Sequence, residues 1–390
     1  MSLEYDFVII GGGVSGYFAI RELAGKGKVA LISDEPDLPY DRPPLSKEFL
    51  RGEKPAPFFE RPDFYYSNGI TVFQNEEAEK IEGHSVITSS GLRIGFRKAL
   101  IATGGRPRRI NVPGENKAGV YYLRTLRDAM AIRRSEAKKF IVIGGSFLGV
   151  EAAASLRALG KEVVLIEALP ALLSRIQDQD FSSFIERLLS SRGIEVHKGE
   201  KAESIIGSKQ VEGVKLKGAG EIKGDAVLIA AGISPSTKVA ESSGIRVSDG
   251  VEVDQQLRTS MEDVYAAGDV ALIYNRYLGG RQRIEHWNNA QYTGQLAARN
   301  MLGASEGYDF LSTIWSDVFD VHVEAAGITS GYDEKRTFGS MDGGKFMSIF
   351  IREGRIAGYV AVNYPWESLE RLNSAIKEGK GAGSIEALGL

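Results

Sequence analysis

One local pattern occurs twice in these 390 residues, and it leaves few folds open. Phe7-Val8-Ile9-Ile10 runs into Gly11-Gly12-Gly13-Val14-Ser15-Gly16, then a helical stretch from Tyr17 to Leu23, then Val29-Ala30-Leu31-Ile32 and, shortly after, Asp34. Phe140-Ile141-Val142-Ile143 runs into Gly144-Gly145-Ser146-Phe147-Leu148-Gly149, a helix to about Leu159, then Val163-Val164-Leu165-Ile166 and Glu167. In each copy the acid follows the first glycine by 23 positions. Short continuous apolar runs suit buried strands, so each copy reads as strand, glycine loop, helix, strand and acid. Each glycine has a job: Gly11 and Gly144 permit the tight turn, Gly13 lets a pyrophosphate approach the backbone, and Gly16 and Gly149 let helix and strand pack closely. The helix N-terminus then offers free N–H groups to the phosphates, and Asp34 and Glu167 can accept hydrogen bonds from adenosine ribose hydroxyls. Ser146 stands at the middle glycine of the second copy. Two readings of that copy stay open: a second dinucleotide site, or a relic of the fold in which the serine crowds the pyrophosphate. Two dinucleotides on one chain imply an enzyme that passes electrons between them.

The remaining segments fit the same plan. Ala99–Gly105 reads as a strand ending in a Thr-Gly turn, and Asp225 to Gly232 closes the second unit in the same way. Val264–Asp269 reads as a strand ending in Gly268-Asp269, whose carboxylate can hydrogen-bond a ribityl chain. The length suggests two or three domains. The chain has no cysteine, which removes disulfides, thiolate metal sites, iron–sulfur ligation and every protein-thiol redox mechanism. His84, His197, His286 and His322 show no ligand spacing, so no metal site is expected. Net charge is −3, which offers no global field for nucleic acid. The apolar run Ala226–Ile233 is far short of the roughly 18 residues of a membrane span, and the N-terminus enters a strand at once, leaving no room for a signal peptide. A cytoplasmic protein without membrane contact is the expectation.

Pro39-Tyr40-Asp41-Arg42-Pro43-Pro44-Leu45-Ser46-Lys47 carries a specific resemblance, to the flavin loop of the FAD-dependent NAD(P)H reductases of the ferredoxin, rubredoxin and putidaredoxin type. These belong to the pyridine nucleotide-disulfide oxidoreductase superfamily but use no redox cysteines. Ala102–Arg108, Tyr122-Leu123-Arg124-Thr125, Ala267–Val270, Glu285–Gln291 and Ile314-Trp315-Ser316-Asp317 are similar to the family's motifs and follow its order. The resemblance implies an α/β fold with two Rossmann-like dinucleotide-binding domains, the second inserted in the first, and a small α+β C-terminal domain. FAD would occupy a discontinuous domain of residues 1–110 and 236–304, NAD(P)H a domain of 111–235, and 305–390 would form the interface domain. In the last, Thr313–Ala326 and a hairpin Lys345–Val362 turning near Glu353-Gly354 are expected to form a sheet, and the tail Lys377–Gly383 to be mobile. The interface domain is somewhat short for the family.

The resemblance also implies roles. Lys47 would sit near the flavin N5 edge and pair with Glu151, which lies two positions after Gly149. A lysine buried there needs such a partner, because an isolated charge in low dielectric is costly. Arg42, Ser15 and Arg124 would contact FAD, Ala78 would offer its backbone to the adenine, and Asp269 and the Trp287 backbone would bind ribityl and flavin oxygens. The helix Trp287–Met301 would point its positive end at the flavin pyrimidine. Trp315 would wall the flavin or nicotinamide, or else be plain core. The expected activity is hydride transfer from NADH to FAD, then single electrons to a small iron–sulfur protein such as a ferredoxin or rubredoxin, the protein itself being a monomer or homodimer. The alternatives are a small-molecule acceptor, oxygen included, and a low-turnover redox sensor. Glu167, with Arg175 the first cation downstream, argues for NADH over NADPH. Arg51, Lys54 and Arg61 are candidates to meet an acidic acceptor. The Glu76–Lys80 charges read as a solvated face, and Gly307-Tyr308-Asp309 has no chemical reading.

Overall fold

The computed structural model describes residues 3–218 and 220–389, so the expected domain limits at residues 1 and 390 lie outside the described residues. The chain divides into two compact units, Met1–Asp41 with Pro57–Arg106 and Ser234–Ser312, and Arg42–Ala56 with Pro107–Ile233 and Thr313–Leu390.

The first unit is built on a seven-stranded sheet ordered Ile70–Gln74, Val29–Ser33, Leu3–Ile10, Arg93–Ile101, Ser85–Thr88, Ala78–Glu82, with Val264–Ala266 alongside Arg93–Ile101. The strands at its centre pair in parallel: Phe7–Ile10 lies against Val29–Ile32 on one side and Lys98–Ile101 on the other, and Val264–Ala266 against Ala99–Ile101. All of Val8, Ile9, Val29, Ala30, Leu31, Ala99, Leu100 and Ile101 are buried, which explains the uninterrupted apolar runs. The helices Val14–Leu23 and Trp287–Met301 pack on each other.

The second unit holds a five-stranded, all-parallel sheet ordered Ile194–Lys198, Glu162–Glu167, Lys139–Ile143, Ala226–Ile229, Val120–Tyr122. A three-stranded antiparallel meander, Ala202–Ile206, Gly213–Leu216 and Glu221–Lys223, accompanies it. The C-terminal portion is an antiparallel five-stranded sheet ordered Thr313–Val318, Val321–Gly327, Arg355–Val362, Lys345–Arg352, Glu334–Ser340. Helix Trp366–Lys377 packs against Arg355–Val362, burying Leu369, Leu372 and Ile376. The α/β class with a small α+β portion is as expected.

Several details differ from the sequence reading. Arg42–Ala56, expected in the first domain, clusters with the second unit because the short helix Glu48–Arg51 packs on helices Leu126–Arg133 and Phe147–Ala158. Residues 305–312 cluster with the first unit rather than with the C-terminal portion. Tyr308 anchors them: its N–H donates to the Gln255 carbonyl at 2.7 Å, and its hydroxyl to Asn289 Oδ1 at 2.8 Å. Asp309 holds Arg276 through both oxygens, at 2.7 and 2.8 Å, so the Gly307-Tyr308-Asp309 motif is architectural. Glu334–Ser340 adds an edge strand that its polar composition hid. The expected mobile tail is tied to the hairpin turn: Ile356 N–H donates to Lys380 O and Ala382 N–H to Gly354 O, both at 2.9 Å.

Candidate functional site

In the first unit, the chain leaves Leu3–Ile10 through Gly11 at φ 112°, where a side chain would overlap the Ala102 carbonyl. An added Cβ at Gly16 would overlap the Gly11 carbonyl, so helix Val14–Leu23 rests directly on the turn. Gly13 is different: it caps the helix in extended backbone, and the space beside it is open. The helix has neither a side-chain cap bond nor an acid in its first turn, which leaves its N–H groups for an anion. Ser15 is 5% exposed, and its hydroxyl oxygen is buried without a partner. Gly268, at φ 75°, would bring a Cβ to 2.9 Å from Ser15 Cβ, while a Cβ on Gly294 would overlap the Ser15 carbonyl. Two glycines thus let the turn before Asp269 and the helix Trp287–Met301 close on the loop. That helix also lacks a side-chain cap bond, and its first residue, Trp287, donates Nε1–H to Asp41 at 2.7 Å. An open glycine, an orphaned hydroxyl and uncapped helix starts fit a dinucleotide pyrophosphate.

The strand ends of the two units do not match as equal spacing suggested. Ile10 pairs Ile32 and Ile143 pairs Ile166, so Glu167 corresponds to Ser33, and Asp34 lies one residue farther on. Asp34 is half exposed and meets Arg106 at 3.3 Å; the same guanidinium reaches Glu77 at 3.0 Å, beside Ala78 at the start of its strand. Glu35 borders the same strand end, its N–H donated to Ser33 Oγ at 3.2 Å and its carboxylate accepting from Tyr40. Arg106 lies in the Ala102–Arg108 motif but was given no role from sequence, and neither was Glu35.

In the second unit, Gly144 at φ 115° and Gly149 repeat the crowding, against the Ala230 and Gly144 carbonyls. Ser146 occupies the cap with φ −81° and ψ 179°, the same extended backbone as Gly13, and its side chain is exposed. The backbone at this position does not itself require a glycine. Glu167 accepts the Gly145 N–H at 2.6 Å and the Leu169 N–H at 2.7 Å, tying the strand end to the loop. Gly232, at φ 88°, accepts the Arg108 N–H through its carbonyl at 2.9 Å.

Lys47 and Glu151 come together in this unit, 6% and 7% exposed, with Nζ 3.0 Å from Oε1. The carboxylate has two further donors, Ser46 Oγ on Oε2 and Ser316 Oγ on Oε1, each at 2.6 Å. Ser155 donates to the Ser46 carbonyl at 2.6 Å, and Arg51 to Ser155 at 3.2 Å. A buried carboxylate with three partners meets its desolvation cost far better than one with a single partner. The two serines were not read as site residues, because their partner is more than a hundred positions away. Arg42 donates to the Arg124 carbonyl at 2.6 Å, and Arg124 N–H to Asp128 beside a capping box at Thr125. Trp315 is half-buried, not core, and pairs across its strand with Glu324. Burial raises the Glu324 carboxyl, which accepts the Tyr359 hydroxyl at 2.9 Å. Asp317 and His322 share a 2.7 Å bond, which lowers the aspartate and raises the imidazole. Among the described residues no group of three or more such side chains could hold a metal ion, and no helix is long and apolar enough to cross a membrane.

Residues 5–294 match the family model described as pyridine nucleotide-disulphide oxidoreductase, and residues 313–381 the one described as reductase C-terminal. The chain is 35% identical over 375 residues to the 5,5'-dehydrodivanillate O-demethylase ferredoxin reductase subunit of Sphingobium sp., covering 92% of this chain and 90% of that protein. It is 33% identical over 337 residues to the rubredoxin-NAD(+) reductase of Ectopseudomonas oleovorans, covering 84% and 88%. The crystal structure of the ferredoxin reductase for the CYP199A2 system from Rhodopseudomonas palustris superposes with a TM-score of 0.88 at 33% identity, covering 92% and 91%.

Proposed function

Since the chain belongs to the pyridine nucleotide-disulphide oxidoreductase family, we propose that it is an FAD-dependent reductase that draws electrons from NADH and hands them singly to a small iron–sulfur protein. The observation that carries this is the doubling of an uncapped glycine loop in a chain that has no cysteine. Two dinucleotide sites call for a redox pair, and without a thiol the electrons leave the flavin for an external acceptor. Bound FAD supplies the chemistry: it accepts two electrons as a hydride and can release them one at a time.

The protein's part is to bind, orient and fix charge. Gly11, Gly13, Ser15 and Gly16 would hold the FAD pyrophosphate, Asp34 the adenosine ribose, Ala78 the adenine edge, and Gly268, Asp269 and Trp287 the ribityl and ring. Gly144, Ser146, Gly149 and Gly232 would take NADH, with Glu167 on its ribose hydroxyls. A 2′-phosphate would bring about two negative charges against that carboxylate, so NADPH is disfavoured. Lys47, held by Glu151, supplies a fixed positive charge for the hydride step. The exposed Ser146 with Gly13's backbone conformation supports a working second site over a relic. A need for NADH and the absence of cysteine both suit the cytoplasm, where we propose that the protein works. The test is anaerobic reduction of the flavin by NADH, followed by titration with ferredoxins and rubredoxins. Rapid bleaching by NADH and reoxidation by one of them is expected; a protein that takes up no FAD ends the reading.

A further inference from the structure

Glu151 sits at the junction of three chain segments that are remote in sequence. Lys47 and Ser46 come from the Pro39–Lys47 loop, Glu151 from helix Phe147–Ala158, and Ser316 from the first strand of the C-terminal sheet. Ser316 is 1% exposed, and Lys47 Nζ and Ser316 Oγ share one carboxylate oxygen, Oε1. Lysine has four rotatable side-chain bonds and glutamate three, so a lone pair of them would have many ways to meet. The second donor on Oε1 and the third on Oε2 remove that freedom. Charge-assisted bonds of this kind are stronger than neutral ones.

We propose that Ser316 is a positioning residue for flavin reduction: its hydroxyl fixes the Glu151 carboxylate, which in turn fixes the Lys47 ammonium. The C-terminal sheet, matched as a separate family segment, thereby takes part in the reductive half-reaction besides any role in meeting the acceptor. This rests on the reading that Lys47 serves the flavin.

The experiment uses the FAD-loaded protein and the variants Ser316→Ala, Ser316→Thr, Lys47→Met, Glu151→Gln and Ser316→Ala/Glu151→Gln. Two quantities are read: the limiting rate of anaerobic flavin reduction by NADH, and the flavin midpoint potential. Ser316→Ala is expected to lower the limiting rate about tenfold, the worth of one hydrogen bond to a charged group, with the NADH dissociation constant unchanged. The midpoint potential should move negative in both Ser316→Ala and Lys47→Met, because each weakens a positive charge that favours the reduced state. Ser316→Thr should recover the rate to within about twofold, and in the Glu151→Gln background Ser316→Ala should add nothing. If Ser316→Ala does not retain FAD, Ser316→Cys, nearly equal in volume but a weak donor, carries the same expectation. A normal rate and potential in Ser316→Ala beside a slow Lys47→Met overturns the role of Ser316 alone. An undiminished Ser316→Ala loss in the Glu151→Gln background overturns it as well. Unimpaired reduction in Lys47→Met removes the Lys47 reading and the proposal with it, while NADH bleaching leaves the reductase assignment standing.

Discussion

A methyl group added at Gly13 and one added at Gly16 meet opposite surroundings, open space in the first case and a carbonyl oxygen in the second. Gly16→Ala and Gly149→Ala should therefore destabilise the protein by about 1–3 kcal/mol, the usual cost of overpacking, seen as a lower urea midpoint. Gly13→Ala should leave the flavin-free protein's urea midpoint nearly unchanged yet lower FAD content, measured as flavin absorbance per chain. Glu167→Ala should weaken NADH and narrow the NADH-to-NADPH ratio of kcat/KM by about tenfold for each 1.4 kcal/mol lost. Equal kcat/KM for both cofactors in the unmutated protein would instead remove the assignment of Glu167. The glycine loops were legible because their chemistry is local. Asp34 shows the limit: spacing counts residues, but backbone pairing decides position, and one residue fewer between Gly11 and Ile32 than between Gly144 and Ile166 moves Ser33 into the place of Glu167.

At the scale of elements, the strands Thr313–Val318 and Val321–Gly327 are joined by the Asp317–His322 bond. The raised imidazole stabilises the fold fully below its ordinary value of 6.5, and that share is lost as pH rises through the raised one. The lowered carboxyl stabilises it above its ordinary 3.8, and that share is lost as pH falls through the depressed one. Both contribute between those values. Since both side chains are nearly half exposed, solvent screening limits the bond to about 1 kcal/mol or less. His322→Gln should lower the urea midpoint most near pH 5 and not measurably near pH 9. A second clamp is larger. Asp178 is fully buried at the N-cap of helix Gln179–Ser191 and is met by Lys335 Nζ at 2.9 Å from the edge strand Glu334–Ser340. Lys335→Met leaves that carboxylate without its cation and should cost about 3 kcal/mol by urea unfolding. The helices and buried strands were readable from apolar runs and glycine punctuation. Glu334–Ser340 was not, because an edge strand with a Glu-Lys-Arg start carries little apolar signal.

For the molecule as a whole, ligand binding to the native state alone should raise the melting temperature when FAD is added to flavin-free protein. Encounter with an acidic ferredoxin should depend on exposed cations. Arg51 is engaged with Glu53 and Ser155, whereas Lys54 is 66% exposed, its ammonium 3.5 Å from Glu48. Lys54→Glu should slow acceptor reduction severalfold, most at low ionic strength, while reduction by NADH stays unchanged. The division into units was only partly legible, because the segment Arg42–Ala56 lies next in sequence to one unit and packs into the other. Five times the backbone passes from one unit's residues to the other's. The ribosome delivers those residues in linear order, and the first unit's sheet cannot be completed in that order. Ala99–Ile101 gains its neighbour Val264–Ala266 only after roughly 160 further residues are made, on the order of ten to thirty seconds at ordinary elongation rates. For that interval a fully apolar strand edge stands unpaired on the nascent chain, a template for other chains. The yield of native protein in cells should accordingly fall when elongation is slowed between those two strands and rise when chaperones shield that edge.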